Sequence, residues 1–135
     1  MRNGPLSLCL AAAALAVALP AAAQDETIGK QLFETHCAVC HGVSARGDGD
    51  MSGIMTIPAP DLTLLAHNNH GDFPMLKVVH IIDGRTGIRA HGNPMPLFAE
   101  TFGAADVSGM DPYGGVIAAR GRVMSVALYL ETLQR

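Results

Sequence analysis

Apolar positions recur at helical spacing near both ends of this chain and lose that regularity in between. Residues 25–36, DETIGKQLFETH, predict a short helix. Ile28 and Leu32 lie four apart, and so do Gly29 and Phe33, so each pair shares a face. Asp25 or Thr27 is the expected cap. Gly29 reads either as a tolerated helix glycine or as the place where another helix crosses closely, an approach that only a missing side chain allows. Residues 122–134, RVMSVALYLETLQ, put Val123, Val126, Ala127, Leu130 and Leu133 on one broad apolar face, with Met124 read as packing. Neither helix is stable alone at this length, so the two are expected to pack across each other. A third helix is predicted over roughly 74–83, with Pro74 in its first turn and Gly84 at its end. Between the first and third helices, GVSARGDGDMSGI reads as loop and TIPAPDLTLLA as a short helix capped by Asp61. The pattern predicts an all-α fold with long loops.

The first residues follow a different pattern. Arg2 precedes the apolar run PLSLCLAAAALAVAL, and Ala21 and Ala23 give the small-x-small spacing of a cleavage site. Residues 1–23 therefore read as a signal peptide, with cleavage after Ala23, and 24–135 as one domain. The run is short for a bilayer span, and a retained anchor is the alternative. Cleavage removes Arg2 and no acid, which leaves 8 basic residues against 12 acidic ones, a formal balance of −4. There is no basic run and no aromatic interleaving, so nothing suggests nucleic-acid binding. The chain has no Trp, 15 Gly and 8 Pro. Such a composition leaves room for something other than side chains to fill the centre.

Cys37 and Cys40 remain after cleavage, and His41 follows at once in CAVCHG. C-x-x-C-H is the spacing of c-type haem attachment. Two thiols three positions apart can each add to a vinyl group of one porphyrin, and the adjacent imidazole can reach the iron. A thioredoxin-like pair would need a strand before the motif, whereas a helix leads into this one. A zinc site could combine Cys37 and Cys40 with His67 and His70, but it leaves His41 unexplained. A plain disulfide leaves it unexplained too. A backbone carbonyl near Pro58 or Pro60 could accept the Nδ1–H of His41 and fix its tautomer.

A second iron ligand has several candidates. Met95 lies in HGNPMPLF between Pro94 and Pro96, which restrict the backbone on both sides of the thioether. Met51 and Met55 follow the motif closely, Met75 begins the third helix, and Met110 lies in a glycine-rich stretch. His91 is the non-methionine rival. Met95 is the best placed of these. His67 and His70 sit in a polar turn expected to face water, and His80 on the third helix is read as partly buried or at the surface.

Taken together, GKQLFETHCAVCHG, GDG, PDLTLLA, FPMLKVVHIIDGR, AHGNPMPLF and VALYLETLQ resemble a class I c-type cytochrome of the bacterial, monohaem, exported kind. The resemblance covers most of residues 27–134. It implies a small fold with crossed N- and C-terminal helices around one covalent haem c. It implies thioethers on Cys37 and Cys40, His41 as proximal ligand, Met95 as distal ligand, and contact of Gly29 and Phe33 with the last helix near Tyr129. It also implies single-electron transfer in the periplasm, no enzymatic bond change, and transient redox partners. An upstream dehydrogenase or quinol-oxidising complex and a downstream oxidase or reductase are the expected classes. One departure is the long connection ETFGAADVSGMDPYGGVIAARG before the last helix. A haem sensor or peroxidase-like protein with a labile sixth ligand is the main alternative, and a zinc-binding module a distant one.

Overall fold

A computed structural model describes residues 21–84, 98, 101, 102 and 112–135. Among the described residues there are helices and no strands, so the fold is all-α as the periodicity predicts. Helix α1 spans Ala21–His36, α2 Ala38–His41, α3 Met75–Asp83 and α4 Pro112–Thr132. Single 3-10 turns at Ser52–Ile54, Leu62–Leu64 and His67–Asn69 punctuate the long connection between α2 and α3. Phe98, Thr101 and Phe102 are also helical. Residues 1–20, which hold most of the expected leader, lie outside the described residues.

Two boundaries differ from expectation. Helix α1 already includes Ala21, the first described residue, ahead of the predicted start at 25. Asp25 and Thr27 are therefore inside the helix and do not cap it. Helix α4 already includes Pro112, ten residues before the predicted start at 122. Much of the connection read as loop is thus helix, despite Gly114, Gly115 and Gly121. Helix α3 matches its prediction: Gly84 closes it, with its N–H donating to the carbonyls of His80 and Ile81.

The core is centred where α1 crosses α4. A Cβ on Gly29 would run into the carbonyl oxygen of Ser125 and lie 2.8 Å from Cβ of Tyr129. One turn on, the rings of Phe33 and Tyr129 meet at 5.6 Å between centroids. Phe33, Phe102, Val123 and Val126 are the largest fully buried side chains. Val126, Ala127 and Leu130 are buried and Leu133 packs against them, as the apolar face predicts. Met124 is a correction: it is 41% exposed, because its place on the helix turns it away from that face. Helix α3 adds Val78 and Ile82 to the same core.

The end of the chain fastens the long connection to this core. Gln134 Nε2 donates to the carbonyls of Leu62 at 2.9 Å and Leu130 at 2.7 Å, and Gln134 Oε1 accepts from the N–H of Ala66 at 2.9 Å. Arg135 Nη2 donates to Asp61 Oδ2 at 2.9 Å, and Arg135 Nε to Thr63 Oγ1 at 2.8 Å. Asp61 caps the Leu62–Leu64 turn by accepting from the N–H of Thr63 at 2.9 Å, as the sequence predicts. The hydrogen bond from the Thr63 side chain, together with the Thr63 N–H and Arg135, holds the Asp61 carboxyl below its ordinary value.

Candidate cofactor site

Helix α1 runs almost directly into α2. The N–H of Cys37 donates to the Phe33 carbonyl at 2.8 Å, and those of Cys40 and His41 donate to the Cys37 carbonyl at 3.1 and 2.9 Å. Positions 37, 40 and 41 are therefore spaced i, i+3 and i+4 on one helical turn and share a face. The end of α2 leaves carbonyls that the helix itself cannot satisfy. The following loop folds back and supplies donors. Gly47 N–H reaches the His41 carbonyl at 2.8 Å, Gly49 the Cys40 carbonyl at 3.3 Å, and Met51 the Val39 carbonyl at 2.9 Å. A Cβ on Gly49 would lie 2.5 Å from the carbonyl oxygens of both Ala38 and Val39, so the loop lies this close only with glycine there. The Ala45 carbonyl then accepts from Leu62 N–H at 2.8 Å, which carries the chain to the next wall of the site.

Cys37 and His41 face a cleft with about 650 Å³ of empty space, part of it open to solvent. Pro60, Leu62 and Leu65 from the long connection form one side. Val78, Ile81 and Ile82 of α3 form another, and Phe33, Val126 and Leu130 close the floor. Apart from the imidazole and the thiol, the lining is apolar. His41 is 7% exposed, and Cys37 and Cys40 are half-buried free thiols. Burial, and secondarily the neighbouring Cys40, pushes the Cys37 thiol up to about 12. A largely apolar lining with a few placed polar groups is the character of a cofactor site. A nitrogen ligand and a sulfur nucleophile on one wall, with hydrocarbon on the others, suit a flat apolar macrocycle carrying a metal.

The structure brings Cys37, Cys40 and His41 together and sets Pro60 on the cleft wall beside them. It does not gather the zinc alternative: His67 and His70 are exposed, and among the described residues no group of three or more His, Cys, Asp or Glu could hold a metal ion. Of the rival methionines, Met51 is exposed and Met75 packs against the core. Met95, His91 and Met110 lie outside the described residues. One contact had no sequence signal. His36, next to Cys37, packs edge-on against Phe102 at 5.3 Å and Phe98 at 6.2 Å between centroids. Those partners come from the far half of the chain, where no local spacing points back to His36.

The family model for cytochrome c matches residues 27–110, more than half of the chain. The chain belongs to the cytochrome c family. No curated protein and no solved structure matches it. The cytochrome binds covalent c-type haem, one for its single matched domain, and its chemistry is haem-based electron transfer between redox partners. The apolar cleft and the Cys37–His41 turn fit that group. No helix among the described residues is long and apolar enough to cross a membrane.

Proposed function

We propose that this cytochrome is an exported, periplasmic carrier of single electrons, with one haem c and His/Met axial ligation, and that it catalyses no bond change of its own. Cys37 and Cys40 carry the thioethers, His41 is the proximal ligand and Met95 the distal one. The observation that carries this reading is the single helical turn that presents Cys37 and His41 to an apolar cleft. Bound haem supplies a reversible one-electron couple. The rest is the work of the chain. The α2 turn fixes the position of His41, whose neutral imidazole is a strong donor at working pH. The hydrocarbon walls keep water from the centre and so limit what must reorganise when charge changes. Pro94 and Pro96 restrict the backbone around Met95 and lower the entropy lost in presenting its sulfur. The partners are transient: a dehydrogenase or quinol-oxidising complex upstream and an oxidase or reductase downstream.

The absorption spectrum of the oxidised protein tests the ligands. A low-spin c-type spectrum with the weak long-wavelength sulfur–iron band is expected. Met95→Ala should abolish that band and His91→Ala should leave it. Persistence of the band in Met95→Ala would assign the sulfur to another methionine. Rapid carbon monoxide binding by the reduced wild type would show an open sixth position and favour a sensor. Export is tested by the amino terminus of the protein in a periplasmic fraction, which should begin at Gln24.

A further inference from the structure

The cleft wall that carries Leu62 and Leu65 is a turn held from outside. The Leu62 carbonyl and the Ala66 N–H are four residues apart, and in an α-helix two such groups bond each other. Here the Gln134 carboxamide bridges them. Its Nε2 donates to the Leu62 carbonyl at 2.9 Å, and its Oε1 accepts from the Ala66 N–H at 2.9 Å. The same Nε2 donates to the Leu130 carbonyl at 2.7 Å, so donor and acceptor atoms are both engaged. A side chain set into the i to i−4 pattern opens the turn it enters. Two further ties keep this turn from closing. The Leu62 N–H donates to the Ala45 carbonyl at 2.8 Å, and the Thr63 carbonyl accepts from the Arg135 N–H at 3.1 Å. Leu62 and Leu65, both within the opened turn, line the cleft, and so does Leu130 at the other end of the bridge.

We infer that Gln134 is a positioning residue for the cofactor: its carboxamide holds the turn 62–66 open so that Leu62 and Leu65 lie against the haem, and it thereby holds the reduction potential up. The inference rests on haem being held at the Cys37–His41 turn. The ferric centre carries one more positive charge than the ferrous one. Apolar walls disfavour the more charged form, and water beside the cleft favours it. The carboxamide satisfies two backbone groups of the wall without bringing water to them. Take it away, and the Leu62 carbonyl and the Ala66 N–H recruit water, because backbone polar groups away from solvent are not left unpaired. That water stands directly behind the two leucines. Glutamine suits the task because one planar group offers both donor and acceptor, whereas an ionised Glu offers acceptors alone and Leu offers neither.

Gln134→Leu keeps the bulk and removes the bridge without changing charge. In a redox titration of the holoprotein, its ferrous-to-ferric ratio at a given solution potential should fall about tenfold, a drop of about 59 mV for one electron. Val123→Ala is the control, because Val123 is buried at the helix crossing and does not line the cleft. It should lower stability and leave the ratio within about twofold of wild type. A residue that only supports the fold would lower the urea midpoint and leave the potential in place. An unchanged or raised potential in Gln134→Leu, or an equal fall in Val123→Ala, would therefore overturn the inference. Amide exchange gives a second readout. In Gln134→Leu the Ala66 amide should exchange about tenfold faster than in wild type, with a smaller change at Val126 and Leu130. Equal acceleration at all three sites would make the effect a global loss of stability and overturn the inference too. Failure of the haem reading shows separately, as a purified chain without a c-type spectrum, and the inference falls with it.

Discussion

The helix crossing and the cofactor cleft share Phe33, Val126 and Leu130, yet they are built on different terms. At the crossing, polypeptide meets polypeptide. Gly29 leaves the gap that Ser125 and Tyr129 fill, and Phe33 packs on Tyr129. Each surface there is the mould of the other. At the cleft, the walls come from three separate stretches that do not close on one another. What holds them is backbone hydrogen bonding in the loop and the contacts of Gln134 and Arg135. The crossing is complete as protein, whereas the cleft becomes complementary only to something between its walls. Buried area at the crossing should therefore stabilise the chain with or without cofactor, and buried area at the cleft only with it.

The largest test of that contrast is to remove the attachment points. In Cys37→Ala/Cys40→Ala protein lacking haem, native-state stability should fall by the whole binding contribution. Amide hydrogen exchange should then show residual protection at 29–33 and 123–130, and little at 61–66 and 75–83. Equal loss in both regions would mean that the crossing also depends on the cofactor. Next in size, Phe33→Ala should cost about 3–5 kcal/mol in urea unfolding, because Phe33 is fully buried and serves both regions. Gly29→Val should cost about 3 kcal/mol, in the holoprotein and the haem-free variant alike, because the collision is with the α4 backbone. Gly53→Ala is the control: its Cβ meets nothing within 4 Å, and the change should stay within about 0.5 kcal/mol.

The smallest effect concerns the wall fastened by Asp61. Its carboxyl is held below the ordinary value, first by the Thr63 hydrogen bond and also by Arg135. The sign follows from linkage: the folded state favours the ionised form. That stabilisation is fully present above the ordinary carboxylate value of about 4 and is lost as pH falls through the lower folded value. Asp61→Asn should therefore flatten the loss of stability with acid in this window, measured by unfolding at a series of pH values. An identical acid profile in wild type and variant would remove Asp61 from the account.

How much of this was legible varies with the distance over which the information acts. The Cys37–His41 turn is local, and its spacing alone placed three groups on one face. The apolar stripe from Val123 to Leu130 and the missing side chain at Gly29 were legible because helical period and steric gap are both local properties. The first ten residues of α4 were not, because Gly114, Gly115 and Gly121 each disfavour helix on their own. Nothing packs where a Cβ of Gly121 would stand, so that glycine is tolerated in the helix without being required by it. Met124 was misplaced because it sits beside Val123 in sequence but a third of a turn away in space. Ile54 read merely as loop, since aperiodic apolar residues give no face. The partners of Gln134 and Arg135 lie 72 and 74 residues earlier, beyond any pattern in a local window.

Those last contacts also set an order in time. A chain made from its amino terminus offers Cys37 and Cys40 early, while Gln134 and Arg135, which tie down the opposite wall, follow by the length of the domain. Until then the segment 61–66 lacks those contacts and is tied to the loop by the Leu62 N–H on the Ala45 carbonyl. In the folded chain, burial pushes Cys37 up to about 12, which leaves little thiolate to react. The cysteines are therefore easiest to modify before the folded chain has buried Cys37.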